Sequence, residues 1–382
     1  MPAAFDDLSL EALRTRRSAK WAWYPADVLP AWVAEMDFPL APTIRAVLQA
    51  AVDADDAGYP YPAALGEAFA GFAQRRYGWT VEPESVQLLP DVMVGVAEVL
   101  RVLTEPGDGI VINPPVYAPF FTLIREIGRQ IVEVPLARGE RGWELDLDAL
   151  EAAFAAGARA FLLCNPHNPT GRVLARSELE QIAELSARYD VAVVSDEIHA
   201  PLTLAGATHT PFGALGQEPP ERAVTIQSAS KAWNLAGLKC ALFVPGSATM
   251  ADRLERLPMS LRYHAGHLGV LTAIAAFESG EGWLDELLVY LDGNRRLLRE
   301  LLAAHLPDVG YVPPEAGYLA WLDCRRLPLG DDPAAAFLDR GRVALSSGPT
   351  FGDPGRGFAR LNFGTSAAIL AEAVERMASA LR

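Results

Sequence analysis

Five short stretches of this chain are apolar almost from end to end, and each is followed by a segment of helical length. They are GIVIN (109–113), QIVEVPL (130–136), AFLLCN (160–165), VAVVSDEI (191–198) and AVTIQSAS (223–230). A strand with one wet face alternates polar and apolar residues, so a run without alternation needs cover on both faces. Between the runs lie amphipathic segments. The clearest is 178–189, with Leu179, Ile182, Ala183 and Leu185 on one face and a capping-box pattern of Ser177 and Glu180 ahead of it. Strands alternating with helices of this length predict an α/β fold whose large domain carries a mostly parallel central sheet.

The flanks read differently. Residues 1–45 are rich in tryptophan and proline (Trp21, Trp23, Pro25, Pro30, Trp32, Pro39, Pro42), which predicts an irregular arm packed by its aromatics. The large domain is expected over 46–285, and a charged helix near 285–300 leads out of it. Beyond it, YLAWLDC (318–324), VALSS (343–347), ARLNF (359–363) and a helix near 367–381 predict a smaller α+β domain over 286–382. The stretch GPTFGDPGRGF (348–358) fits no phosphate-loop spacing and reads as an ordinary loop.

Composition narrows the function. The 382 residues are 51% hydrophobic and 21% charged, which suits a globular enzyme and excludes a disordered or fibrous chain. The net charge of −15 repels phosphate backbones and anionic headgroups, so neither nucleic acid nor a membrane surface is an expected partner. Cys164, Cys240 and Cys324 are odd in number and lack metal spacing, as expected of reduced core thiols in a cytoplasmic protein. The first 17 residues have no apolar h-region, and no window approaches a membrane span. His264 and His267 in RYHAGH have no acid or cysteine beside them in sequence, so no metal site is expected.

Three features carry chemistry. SASKAWNLAGLK (228–239) places Lys231 just past an apolar strand, where burial lowers the amine's pKa and makes it nucleophilic. Asp196 ends VAVVSDEI, at the carboxyl edge where open α/β sheets bind ligands. NPHNPTG (165–171) follows a third strand as a stiff turn presenting Asn168. Singly, each has an ordinary structural reading: a lysine reaching the surface, a helix cap, a plain turn. Together they end successive strands and converge on one sheet edge. An amine, a carboxylate and an amide are the groups that hold pyridoxal phosphate: the lysine bonds its aldehyde carbon, the aspartate pairs with its ring nitrogen, and the asparagine bonds its ring oxygen.

On these motifs the chain resembles the fold-type I pyridoxal-phosphate enzymes of the class I/II aminotransferase superfamily. Within it, WVAEMDF (32–38), LLCNPHNPTGR (162–172), SDEIH (195–199) and YLAWLDCR (318–325) resemble the MalY/PatB-type cystathionine β-lyases; His199 stands where typical aminotransferases carry tyrosine. The resemblance implies that Lys231 is the catalytic lysine that bonds the cofactor and moves the Cα proton. It also implies that Asp196, Asn168 and His199 surround the ring and that Tyr117 stacks on it. The phosphate is expected on the Val92 and Met93 amides with Ser228, Ser230 and Lys239, and on Tyr59 of the partner subunit in a homodimer. Arg360 is expected to grip the substrate α-carboxylate.

Four positions depart from the pattern. Glu35 replaces an aspartate, Lys239 stands where arginine is common, PDVMVG (90–95) lacks the small residues of the usual phosphate cup, and LNFGTS (361–366) lacks a Cys-Pro-Arg run. The function expected is β-elimination from L-cystathionine or a related cysteine S-conjugate. The alternative is an aminotransferase built on the same residues. A non-catalytic effector domain of a transcription regulator fits poorly, since the resemblance begins near residue 21 and the charge opposes DNA.

Overall fold

The computed structural model describes residues 3–139, 142–215 and 221–382. Its centre is a seven-stranded sheet of β1 (Gln87–Leu89), β2 (Gly109–Ile112), β3 (Gln130–Glu133), β4 (Ala160–Cys164), β5 (Ala192–Asp196), β6 (Ala223–Gln227) and β7 (Ala241–Pro245), in the order β1-β7-β6-β5-β4-β2-β3. Neighbours from β6 across to β3 pair in parallel, and β7 runs antiparallel to both β6 and β1. The sheet is therefore mostly parallel, as the apolar runs imply. Strands β1 and β7 were not among those runs: β1 is short, and β7 follows directly on the Lys231 motif.

The alternation hidden inside each run shows in the packing. Ile110, Ile112, Leu162 and Val194 join one buried cluster, while Val111, Phe161, Leu163 and Val193 join another on the opposite face. Helix α1 (Val92–Leu103) covers the first face with Val96, Val99 and Leu100, and α2 (Arg176–Tyr189) covers the second with Leu179, Ile182 and Leu185. Strand β3 departs from the expectation of cover on both faces. It is the last strand of the sheet, and its end residues Gln130 and Glu133 are exposed.

The expected cap on α2 is also corrected. The helix starts at Arg176, not at 178, with Ala175 as N-cap, and Glu178 Oε2 accepts from Ala175 N at 2.9 Å. Ser177 lies inside the first turn, where its carbonyl accepts from Gln181 Nε2. Arg172 Nη2 pairs with Glu178 Oε1 at 2.5 Å, which anchors that carboxylate at the helix start.

Helix α3 (Glu281–His305) contains the boundary placed at 285/286. Beyond it, β8 (Gly310–Tyr311), β9 (Leu319–Asp323), β10 (Ser346–Ser347) and β11 (Phe358–Asn362) form an antiparallel sheet in the order β8-β9-β11-β10, and α4 (Ala367–Ser379), packed on α3, closes the chain. The run VALSS divides at Leu345: Ser346–Ser347 belongs to this sheet, but Val343–Ala344 pairs in parallel with Leu29–Pro30 of the arm. The arm includes short helices at Ala3–Asp6, Leu10–Arg14 and Ala19–Ala22. It is fastened by a buried ion pair, Lys20 Nζ to Asp37 Oδ2 at 2.8 Å, with both side chains 1% exposed. Trp21 Nε1 donates to Asp37 Oδ1 at 2.9 Å, and Trp32 contacts the rings of Trp23 and Tyr24. Among the described residues no helix is long and apolar enough to cross a membrane.

Candidate active site

Register brings the three motif ends together. Cys164 at the end of β4 lies opposite Asp196 at the end of β5, and Asp196 lies opposite Ile226, two residues before Ser228. The turn NPHNPTG leaves β4 and is clamped from the far side: Gly171 O accepts from Glu315 N at 2.8 Å and Ala316 N at 3.0 Å. Gly171 has φ +70°, and a Cβ there would stand 2.2 Å from Pro314 Cβ, so this closing position requires glycine.

A cavity of about 250 Å³ opens at this edge. Its walls include nine of the twelve expected residues: Val92, Met93, Tyr117, Asn168, Asp196, His199, Ser230, Lys231 and Lys239. Ser228 stands just behind, its Oγ donating to Cys240 O at 2.7 Å and lying 2.9 Å from Ser230 Oγ. Arg360 reaches in from β11, donating through Nη1 to Asn168 Oδ1 at 2.9 Å and through Nη2 to Trp32 O and Ser346 Oγ, each at 3.0 Å. Tyr59 does not join this chain's own cavity. It is 82% exposed and meets Tyr263 edge-on.

Electrostatics set the site's character. Lys231 Nζ donates to the Ala34 carbonyl at 2.9 Å and has no carboxylate partner among the described residues. Burial, helped by the Arg360 charge, brings its pKa down to about 8. Asp196 is buried with one hydrogen bond, from Ile198 N at 3.1 Å, and burial pushes its carboxyl up to about 6. Burial, with the charges of Lys231 and Arg360, drives His199 down to about 3, so its ring is neutral at pH 7. Arg360 lies over the Phe351 ring at 5.0 Å with no ion pair among the described residues, and burial lowers it to about 10. A buried guanidinium with no anion is a site for one.

Several contributors carry no composition signal. Ala34 acts through its carbonyl, which also accepts from Tyr318 OH at 2.9 Å. Asn362, in the segment that lacks the Cys-Pro-Arg run, donates to Val33 O and Glu35 O, each at 2.7 Å, and so fixes the arm over Lys231. Ser18 Oγ donates to Glu35 Oε1. Beneath Asp196, the fully buried Glu197 accepts from Ser195 Oγ, His209 Nε2 and Gln227 Nε2, each at 3.0 Å, and from Phe212 N at 2.7 Å. Cys164 and Cys240 also border the cavity; all three cysteines are buried and free.

Residues 33–377 match the family described as aminotransferase class I and II. The chain belongs to that family. It is 48% identical to a Mycobacterium tuberculosis protein, provisionally named a cystathionine beta-lyase, over 100% of this chain and 99% of the relative. It is 38% identical to the Bacillus subtilis cystathionine beta-lyase PatB, with 93% of each chain covered. Among solved structures, the PLP-bound C-S lyase of Staphylococcus hominis superposes with a TM-score of 0.91 at 26% identity, covering 99% of this chain and 98% of that one.

Proposed function

We propose that this chain is a pyridoxal-phosphate-dependent carbon–sulfur lyase acting by β-elimination on L-cystathionine or a related cysteine S-conjugate. The carrying observation is one cavity in which a partly buried amine without a carboxylate partner among the described residues, Lys231, shares the space with the buried carboxylate of Asp196 and the amide of Asn168. The chain's residues fit the cofactor. Asp196 has one backbone donor and a raised proton affinity, so a ring N–H⁺ supplies the partner it lacks. Tyr117 offers a flat wall, and Lys239 with the first turn of α1 offers positive charge for a phosphate.

When bound, the cofactor supplies an aldehyde for the Lys231 amine and an electron sink for the Cα carbanion. The protein's own groups do the rest. Arg360, already aligned by Trp32 O, Ser346 Oγ and Asn168, takes the substrate α-carboxylate as a two-pronged donor. Lys231 Nζ would remove the Cα proton; its depressed pKa keeps a useful fraction neutral near pH 7. The Cα–H electron pair then forms the Cα–Cβ double bond as the Cβ–S bond breaks. The sulfur departs with its bonding pair and takes up a proton as homocysteine or another thiol. The remaining three-carbon fragment hydrolyses to pyruvate and ammonia.

The relatives named as cystathionine beta-lyases favour elimination over amino-group transfer. L-Cystathionine without any keto acid is expected to give repeated turnovers of pyruvate and homocysteine, read by coupled lactate dehydrogenase and thiol assays. No turnover until a keto acid is added, followed by appearance of a new amino acid, identifies an aminotransferase instead. Arg360→Lys keeps the charge and loses the fork, so kcat/KM for L-cystathionine is expected to fall by about 10–100-fold, mostly through KM. An unchanged KM removes Arg360 from carboxylate binding.

The active unit we propose is a cytoplasmic homodimer in which Tyr59 of each subunit reaches the other's phosphate. Supporting it, Tyr59, Tyr61, Met259 and Tyr263 are 82%, 78%, 73% and 57% exposed. That is a large apolar area for a free surface. The buried, free cysteines suit a reducing compartment.

A further inference from the structure

The end of the cavity suited to a phosphate already contains a carboxylate. Asp91 is the N-cap of α1, with Oδ1 accepting from Val94 N at 2.9 Å. Its other oxygen, Oδ2, meets Lys239 Nζ at 3.0 Å. Asp91 borders the same cavity as Val92, Met93, Ser230 and Lys239, so the pair lies within the cradle. This is the PDVMVG segment, whose side chains depart from the small residues of the usual cup.

Charge at this end is sparse. A helix N-terminus is worth about half a positive charge. Lys239 adds one and Asp91 removes one, leaving a cradle of about +0.5 for a phosphate of about −1.5 to −2. Serine hydroxyls and the Val92 and Met93 amides add donors without net charge. The two partners a phosphate needs here, Lys239 and the α1 terminus, are the two that Asp91 engages.

We infer that Asp91 is a built-in competitor for the cofactor's phosphate, so that this chain holds pyridoxal 5′-phosphate more weakly, and exchanges it faster, than its other groups dictate. The inference rests on the reading of this cavity as a pyridoxal-phosphate site. Lys239 is held ready by Asp91 and must change partner as the phosphate enters, and the carboxylate then remains beside it as a like charge.

Asp91→Asn tests this cleanly, because asparagine caps a helix as well as aspartate does and only the charge is lost. Holoenzyme of each form is diluted to follow cofactor release by absorbance, then reloaded with pyridoxal 5′-phosphate or with pyridoxal, which lacks the phosphate. The variant is expected to release the phosphorylated cofactor about tenfold more slowly and bind it about tenfold more tightly at low ionic strength. The gap should narrow near 1 M KCl, where screening acts within about 3 Å. Affinity for pyridoxal should not change. Asp91→Ser, another uncharged cap, should reproduce the gain. Unchanged or weaker binding of the phosphorylated cofactor overturns the inference and makes Asp91 an organiser of Lys239. An equal shift for pyridoxal also overturns it, because the effect is then not on the phosphate. If neither protein takes up the cofactor or forms a borohydride-trapped adduct at Lys231, the site reading itself fails.

Discussion

Lys231→Ala is expected to lower β-elimination by about 10³-fold or more, since in the proposed site one amine both bonds the cofactor and moves the Cα proton. Its neighbours supply no substitute. The other cavity-lining amine, Lys239, is engaged with Asp91, and the neutral His199 ring, with a pKa near 3, is too weak a base. Borohydride reduction followed by peptide mass mapping should find the cofactor mass on Lys231 in wild type and on no other lysine in the variant. The pH dependence has a definite sign. Only the neutral amine attacks an aldehyde, and the pKa is lowered to about 8. The rate of cofactor capture by cofactor-free protein should therefore rise with pH to a plateau with a midpoint near 8, well below the value of about 10.4 for an exposed lysine. A midpoint near 10, or retained turnover in Lys231→Ala, removes this residue from the chemistry.

Asp37→Ala is expected to cost about 3–5 kcal/mol of folding stability, because it strands the Lys20 ammonium in a site 1% exposed. Trp21 Nε1 loses its acceptor in the same step. The midpoint of urea unfolding should fall accordingly. The double change Lys20→Met with Asp37→Leu should recover much of the loss, since an apolar pair of similar volume leaves no buried charge. A stability within about 0.5 kcal/mol of wild type for Asp37→Ala shows that water reaches Lys20 and that the pair does not fasten the arm. Activity should fall with stability in the single variant. The arm carries the Ala34 carbonyl that receives Lys231 Nζ and the Trp32 carbonyl that receives Arg360 Nη2.

The central sheet was largely legible in the chain because burial on both faces leaves a continuous apolar run, and three of the five runs end at or just before a polar residue of unusual type. Asn168, Asp196 and Lys231 followed from that pattern, and the resemblance extended it to Tyr117, Ser230, Lys239 and Arg360. The cap of α2 was not legible, since Ser177 and Ala175 differ in which backbone turns first, and Arg172 decides that by holding Glu178 at the helix start. Nor was the split of VALSS at Leu345, since a five-residue run does not state which of two sheets its halves join.

What the sequence by itself determined is the set of chemical groups and the strand ends that present them, because residue type and hydrophobic period are local properties. The tertiary structure alone decided what each group touches. It put the Ala34 carbonyl on Lys231, Asn168 on Arg360, Lys20 on Asp37 and Asp91 on Lys239. Most of these contacts join residues far apart in the chain, and the one on Lys231 goes through a backbone atom. Backbone carbonyls are the same in every residue, so their roles are set by where the chain folds.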